Sequence, residues 1–135
     1  MVDLRTLLAL LAAADAALAL AVWFGAGGRR GGVVHWSASL AVRAIALTLV
    51  LGAAQPQAGG IALGAGLLAL SVTLQAAALL AFAGRQLPAW VHSAALAAIA
   101  VPIQMLANDT GPAMLFGGVV LGVLLALTAG LAWQV

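Results

Sequence analysis

The sequence predicts an all-α, polytopic membrane protein, a compact bundle of five transmembrane helices with its N-terminus outside and its C-terminus inside. Three observations carry this. The chain is 66% hydrophobic and only 6% charged, whereas soluble domains carry about a quarter charged residues. Apolar runs of spanning length alternate with short breaks rich in Gly, Pro and polar residues. Arginine falls in alternate breaks.

A bilayer-crossing helix needs about 20 mostly apolar residues, and five runs qualify, over residues 4–24, 33–53, 61–83, 89–107 and 113–134. The first closes at Gly25-Ala26-Gly27-Gly28-Arg29-Arg30-Gly31-Gly32, and the second at Ala54-Gln55-Pro56-Gln57-Ala58-Gly59-Gly60. Gly84-Arg85-Gln86-Leu87-Pro88 closes the third and Asn108-Asp109-Thr110-Gly111-Pro112 the fourth. Each break gathers groups that are costly in lipid. The five spans leave no length for a separate soluble domain. Period-two alternation is absent, which argues against a β-barrel. A cleaved signal peptide is the alternative for the first run, but Asp3 and Asp15 fit it poorly.

Orientation follows from arginine placement. The first break holds Arg29 and Arg30 and the third holds Arg85, while the second is uncharged and the fourth has only Asp109. The first and third breaks are therefore expected in the cytoplasm. Trp23, Trp36, Trp90 and Trp133 fall at span ends, where amphipathic rings anchor at the headgroups. An Ala-, Leu- and Gly-rich composition whose basic residues are all arginine reads as a GC-rich bacterial genome, hence a multi-pass protein of the bacterial inner (cytoplasmic) membrane with lipid as its main partner. The net charge of +2 offers no basic patch for nucleic acid. Absence of cysteine removes thiolate metal sites and disulfides.

Two charges fall inside spans. Asp15 and Arg43 lie at matching depth in the first two runs, which a short connection makes antiparallel neighbours. An isolated charge there costs on the order of 3 kcal/mol, so the two are expected to pair. The pair serves either as a structural register lock or as a ligand-sensing or proton-relay site; the structural reading ranks first, since no third ionisable group joins it. Gln75 and Gln104 can bond across helices. Pro102 is expected to kink the fourth span by freeing the carbonyl of Ala98. Gly118, Gly122, Ala126 and Gly130 form a small-residue stripe at i+4 spacing, read as an internal packing face with a partner helix as the alternative. His35 and His92 are weak candidates for a metal. No cofactor is expected, although haem or chlorophyll ligation stays open for either ring. No catalytic triad, phosphate-binding loop or carboxylate pair is present, and the expectation is a non-enzyme.

The opening Asp3-Leu4-Arg5-Thr6 before a Leu/Ala span carries a resemblance, together with Arg29-Arg30, Trp36 and the Phe82-Ala83-Gly84-Arg85-Gln86-Leu87-Pro88-Ala89-Trp90 turn. These features resemble the membrane-embedded N-terminal sensor region of bacterial diguanylate cyclases of the GGDEF class. The resemblance implies a sensory or scaffolding module that precedes a cytoplasmic signalling domain. These 135 residues hold no Gly-Gly-Asp-Glu-Phe signature, so none of that family's catalytic residues carry over. A small accessory subunit of a larger respiratory or photosynthetic membrane complex is the second reading, and a small transporter using Asp15 and Arg43 a distant third. Either leading reading expects a protein partner in the membrane or a cytoplasmic effector domain.

Overall fold

A computed structural model describes residues 3–27, 31–52 and 58–105, together with 115, 119–120, 122–124, 126–130 and 133. Four helices run in succession: α1 Leu4–Gly25, α2 Gly31–Gly52, α3 Ala58–Phe82 and α4 Ala89–Met105. The described residues beyond 114 are helical too and form a C-terminal helical segment. There is no strand among the described residues. Leu4–Gly25, Gly31–Gly52 and Ala62–Phe82 are long and apolar enough to cross a membrane, while Ala89–Met105 is apolar but shorter.

Local chemistry sets the helix ends. Asp3 caps α1 in an extended conformation, its carboxylate accepting the Thr6 amide at 2.7 Å, which satisfies one of the orphan donors of the first turn. α1 and α3 both end in glycines with left-handed backbones, Gly27 at φ 68 and Gly84 at φ 73. At α3 the Gly84 amide donates to the Ala81 carbonyl at 3.1 Å and the Arg85 amide to the Leu80 carbonyl at 2.8 Å. Those two bonds make a Schellman motif, and it directs the chain leaving α3.

Two stretches of expected loop are helical. Gly31 and Gly32 belong to α2, and Ala58, Gly59 and Gly60 belong to α3. The reason is visible at Gly32, where an added Cβ would lie 2.8 Å from the Phe82 ring. Glycine there serves close helix packing rather than a turn, a choice that the dipeptide alone does not distinguish.

Helices α1 to α4 pack as successive neighbours. Among the described elements α1 packs on α2 only, α2 on α1 and α3, and α3 on α2 and α4. The inward side of α1 explains its edge position. Only Leu8, Ala12, Asp15, Ala19 and Val22 are shielded along it, spaced alternately by four and three residues. That spacing makes a seam wide enough for one partner. Leu4, Leu10, Leu18, Leu20 and Phe24 point outward, as suits lipid, where apolar groups gain little by leaving the solvent.

Toward α3 and α4 the contacts are between small side chains and backbones. Gly64 meets Val50 of α2, and Gly66 meets Ala100 and Leu96 of α4. Ala62, Ala69, Ile99 and Ile103 form the core there, with Val120 and Leu124 of the C-terminal segment packed against it. Alternation of direction places Trp23, Trp36, Trp90, His35 and Arg85 at one end of these helices, with Asp3 and Arg5 at the other. α4 continues through Pro102 to Met105.

Candidate functional site

Asp15 and Arg43 meet midway along α1 and α2. Arg43 donates Nε–H to Asp15 Oδ2 and Nη2–H to Asp15 Oδ1, both at 2.6 Å. Both carboxylate oxygens are taken by one planar fork, the strongest geometry for such a pair. Asp15 is 2% exposed, whereas the Arg43 side chain keeps 32% of its surface open. Its guanidinium has five N–H donors, and those not used on Asp15 make no bond among the described residues.

A second polar contact lies on the same seam. Ser37 Oγ donates to the Ala19 carbonyl at 2.9 Å and is buried. Sequence reasoning missed it, because a serine in a helix usually returns its proton to its own backbone. Ser39, Thr48, Ser71 and Thr128 do that, onto carbonyls three or four residues back. Beyond the ion pair α1 and α2 leave an open groove of about 570 Å³, lined by alanines 9, 12, 13 and 16 of α1 with Ala44 and Thr48 of α2. No charged group among the described residues lines it.

The histidines gather at the tryptophan-rich end. His35 Nδ1 lies 2.6 Å from the Gly31 carbonyl, and since a carbonyl only accepts, that nitrogen carries the hydrogen. His92 Nδ1 lies 2.9 Å from Thr73 Oγ1. The Thr73 hydroxyl donates its one proton to the Leu70 carbonyl at 2.9 Å, so His92 Nδ1 donates as well. Each ring thereby keeps Nε2 as the nitrogen it would offer to a metal or macrocycle. The sequence gives no sign of this α3–α4 bond, through which His92 reaches across to a neighbouring helix.

Three other expectations come out differently. Neither Gln75 nor Gln104 makes a side-chain hydrogen bond among the described residues, and Gln104 is exposed. Burial of Ile99 and Ile103, one turn apart, turns the adjacent Gln104 away from the core. The stripe at Gly122, Ala126 and Gly130 faces outward instead of into the bundle, because Val120 and Leu124 supply the inward face. Gly118, Arg29, Arg30 and Asp109 lie outside the described residues.

Set beside protein-family models, curated proteins and solved structures, the chain matches none. Its function is therefore argued from its own residues.

Proposed function

We propose that the chain is a non-catalytic integral membrane module, sensory or scaffolding, of the kind that precedes a cytoplasmic signalling domain in the bacterial inner membrane. In this reading it crosses the bilayer five times, with the arginine-bearing breaks and the C-terminus in the cytoplasm. The observation that carries it is the Asp15–Arg43 pair: both carboxylate oxygens are engaged in the middle of a hairpin whose outer faces are apolar. A carboxylate held in this way locks helix register and is poorly placed to bind cargo or exchange protons. The uncharged groove beside it likewise supports a packing element more than a transport path.

A second reading, a small accessory subunit of a larger membrane complex, is favoured by two outward features. The exposed Gly122, Ala126 and Gly130 allow another helix backbone to approach. The open edge of Arg43 leaves N–H donors for which hydrocarbon offers no acceptor.

Two measurements separate the readings. The absence of cysteine allows single cysteines near Asp3 and near Arg85 to be labelled with an impermeant maleimide in intact cells. Labelling from outside near Asp3 only supports the orientation; the reverse pattern overturns it. Intact mass of the polypeptide purified from its own membrane then decides between a larger signalling protein, if it greatly exceeds 13.3 kDa, and a subunit, if it equals that mass with fixed companions.

A further inference from the structure

At the end where α2 begins and α3 finishes, a cavity of about 290 Å³ is lined by Gly31, His35, Ala81, Arg85, Gln86 and Leu87. Its size falls near the lower end of small-ligand sites, roughly 300 Å³. One wall is apolar and the other carries Arg85, Gln86 and His35. We infer that this cavity binds a phosphate ester, the phosphate of an anionic phospholipid headgroup or of a small soluble metabolite, with Arg85 as its principal ligand.

Four features point there. Arg85 is exposed and its guanidinium makes no ion pair among the described residues, while the one acid in a described helix, Asp15, is taken by Arg43. A guanidinium fork matches phosphate oxygens two at a time. Gly84 at φ 73, with the Arg85 amide on the Leu80 carbonyl, fixes the Arg85 backbone at the cavity wall and so limits the ordering that binding requires. Gly31 begins α2, and a helix start favours negative charge. The level is also right for a headgroup, because Trp23, Trp36 and Trp90 stand at this same end, and amphipathic rings collect at the membrane–water boundary. Placement at that boundary rests on the membrane reading above; the ligand chemistry does not.

The test uses the full chain in detergent, studied by native mass spectrometry with phosphatidylglycerol, phosphatidylcholine or inorganic phosphate added. Retention of phosphatidylglycerol roughly tenfold above phosphatidylcholine is expected, because the choline cation of the latter repels Arg85 and competes with it for the same phosphate, and Arg85→Gln should abolish the preference. Gly84→Ala should weaken it without removing any donor. Arg85-dependent binding of inorganic phosphate, with no preference between lipids, would also support the inference and name the soluble source. Equal retention of both lipids with no Arg85-dependent phosphate binding overturns it. Insertion into phosphatidylcholine vesicles is measured in parallel by flotation. A protein that floats but shows no preference has lost only the phosphate site; one that floats with no vesicle has lost the membrane reading too. Circular dichroism of both variants confirms retained helix.

Discussion

The seam between α1 and α2 and the seams on either side of α3 hold helices together by different means. α1 is attached along one narrow stripe, with the ion pair at its centre and the Ser37–Ala19 bond nearby. α3 is gripped on both sides by glycine and alanine contacts, Gly64 against Val50 and Gly66 against Ala100. On the proposed membrane reading neither seam draws on water exclusion, so directional bonds and close packing carry the load. The polar seam fixes which residues oppose one another; the small-residue seams fix how near the backbones come. A helix with one neighbour needs the first device, and a helix between two needs the second.

The largest expected effect lies at the ion pair. Arg43→Ala strands a buried carboxylate and should cost about 3 kcal/mol, the low end for such losses because Arg43 is partly open. Denaturant unfolding in micelles, followed by circular dichroism, measures it. Adding Asp15→Asn should restore a good part of the loss, and strictly additive losses would show that the two charges are not coupled. Next comes Gly64→Ala, whose new Cβ would sit 2.8 Å from Val50 Cγ2; about 1–3 kcal/mol is expected for overpacking. Val50→Ala in the same chain should relieve it, and a loss unchanged in that background would break the close-packing account of the α2–α3 seam. Ser37→Ala should cost only about 0.6 kcal/mol, the average for a helix–helix bond in lipid. A cost above that of Gly64→Ala would invert the comparison.

The smallest effect is at the α1 cap. The Thr6 amide bonded to its carboxylate holds the Asp3 pKa below its ordinary value of 3.8. Its capping contribution is therefore present above pH 3.8 and lost as pH falls through the lower folded value. Protection of the Thr6 amide from hydrogen exchange, taken relative to the intrinsic rate at each pH, should fall across that acid range, and Asp3→Ser, whose cap does not titrate, should remove that fall. Protection that falls equally in both proteins would count against the cap.

The sequence made the Asp15–Arg43 contact legible because depth and antiparallel order are enough to oppose two residues of adjacent spans. Spans 4–24 and 33–53 were legible from length and hydropathy, with boundaries off where Gly31 and Gly32 prolong α2. Those glycines were opaque because their role depends on the Phe82 ring, fifty residues on. The order of neighbours from α1 to α4 was hidden for a related reason: every span is apolar on most sides, so periodicity gives no sign of which face meets protein. The His92–Thr73 bond depends on the relative rotation of α3 and α4, which composition does not encode. Gln104 was misread because polarity inside a span suggests an inward face, while the rotation that buries Ile99 and Ile103 turns it outward.

On the proposed membrane reading, the serial order of α1 to α4 bears on how the chain is inserted during synthesis. Arg43 follows Asp15 by 28 residues, which at roughly 5–20 residues per second is a delay of a few seconds at the ribosome. For that interval α1 carries an uncompensated acid, and its partner is supplied by the next helix to emerge. Each later helix likewise finds its described neighbour already made, so assembly can proceed vectorially with no wait for a distant segment. On the proposed membrane reading, the α1–α2 hairpin is the natural unit of insertion, entering as a charge-neutral pair.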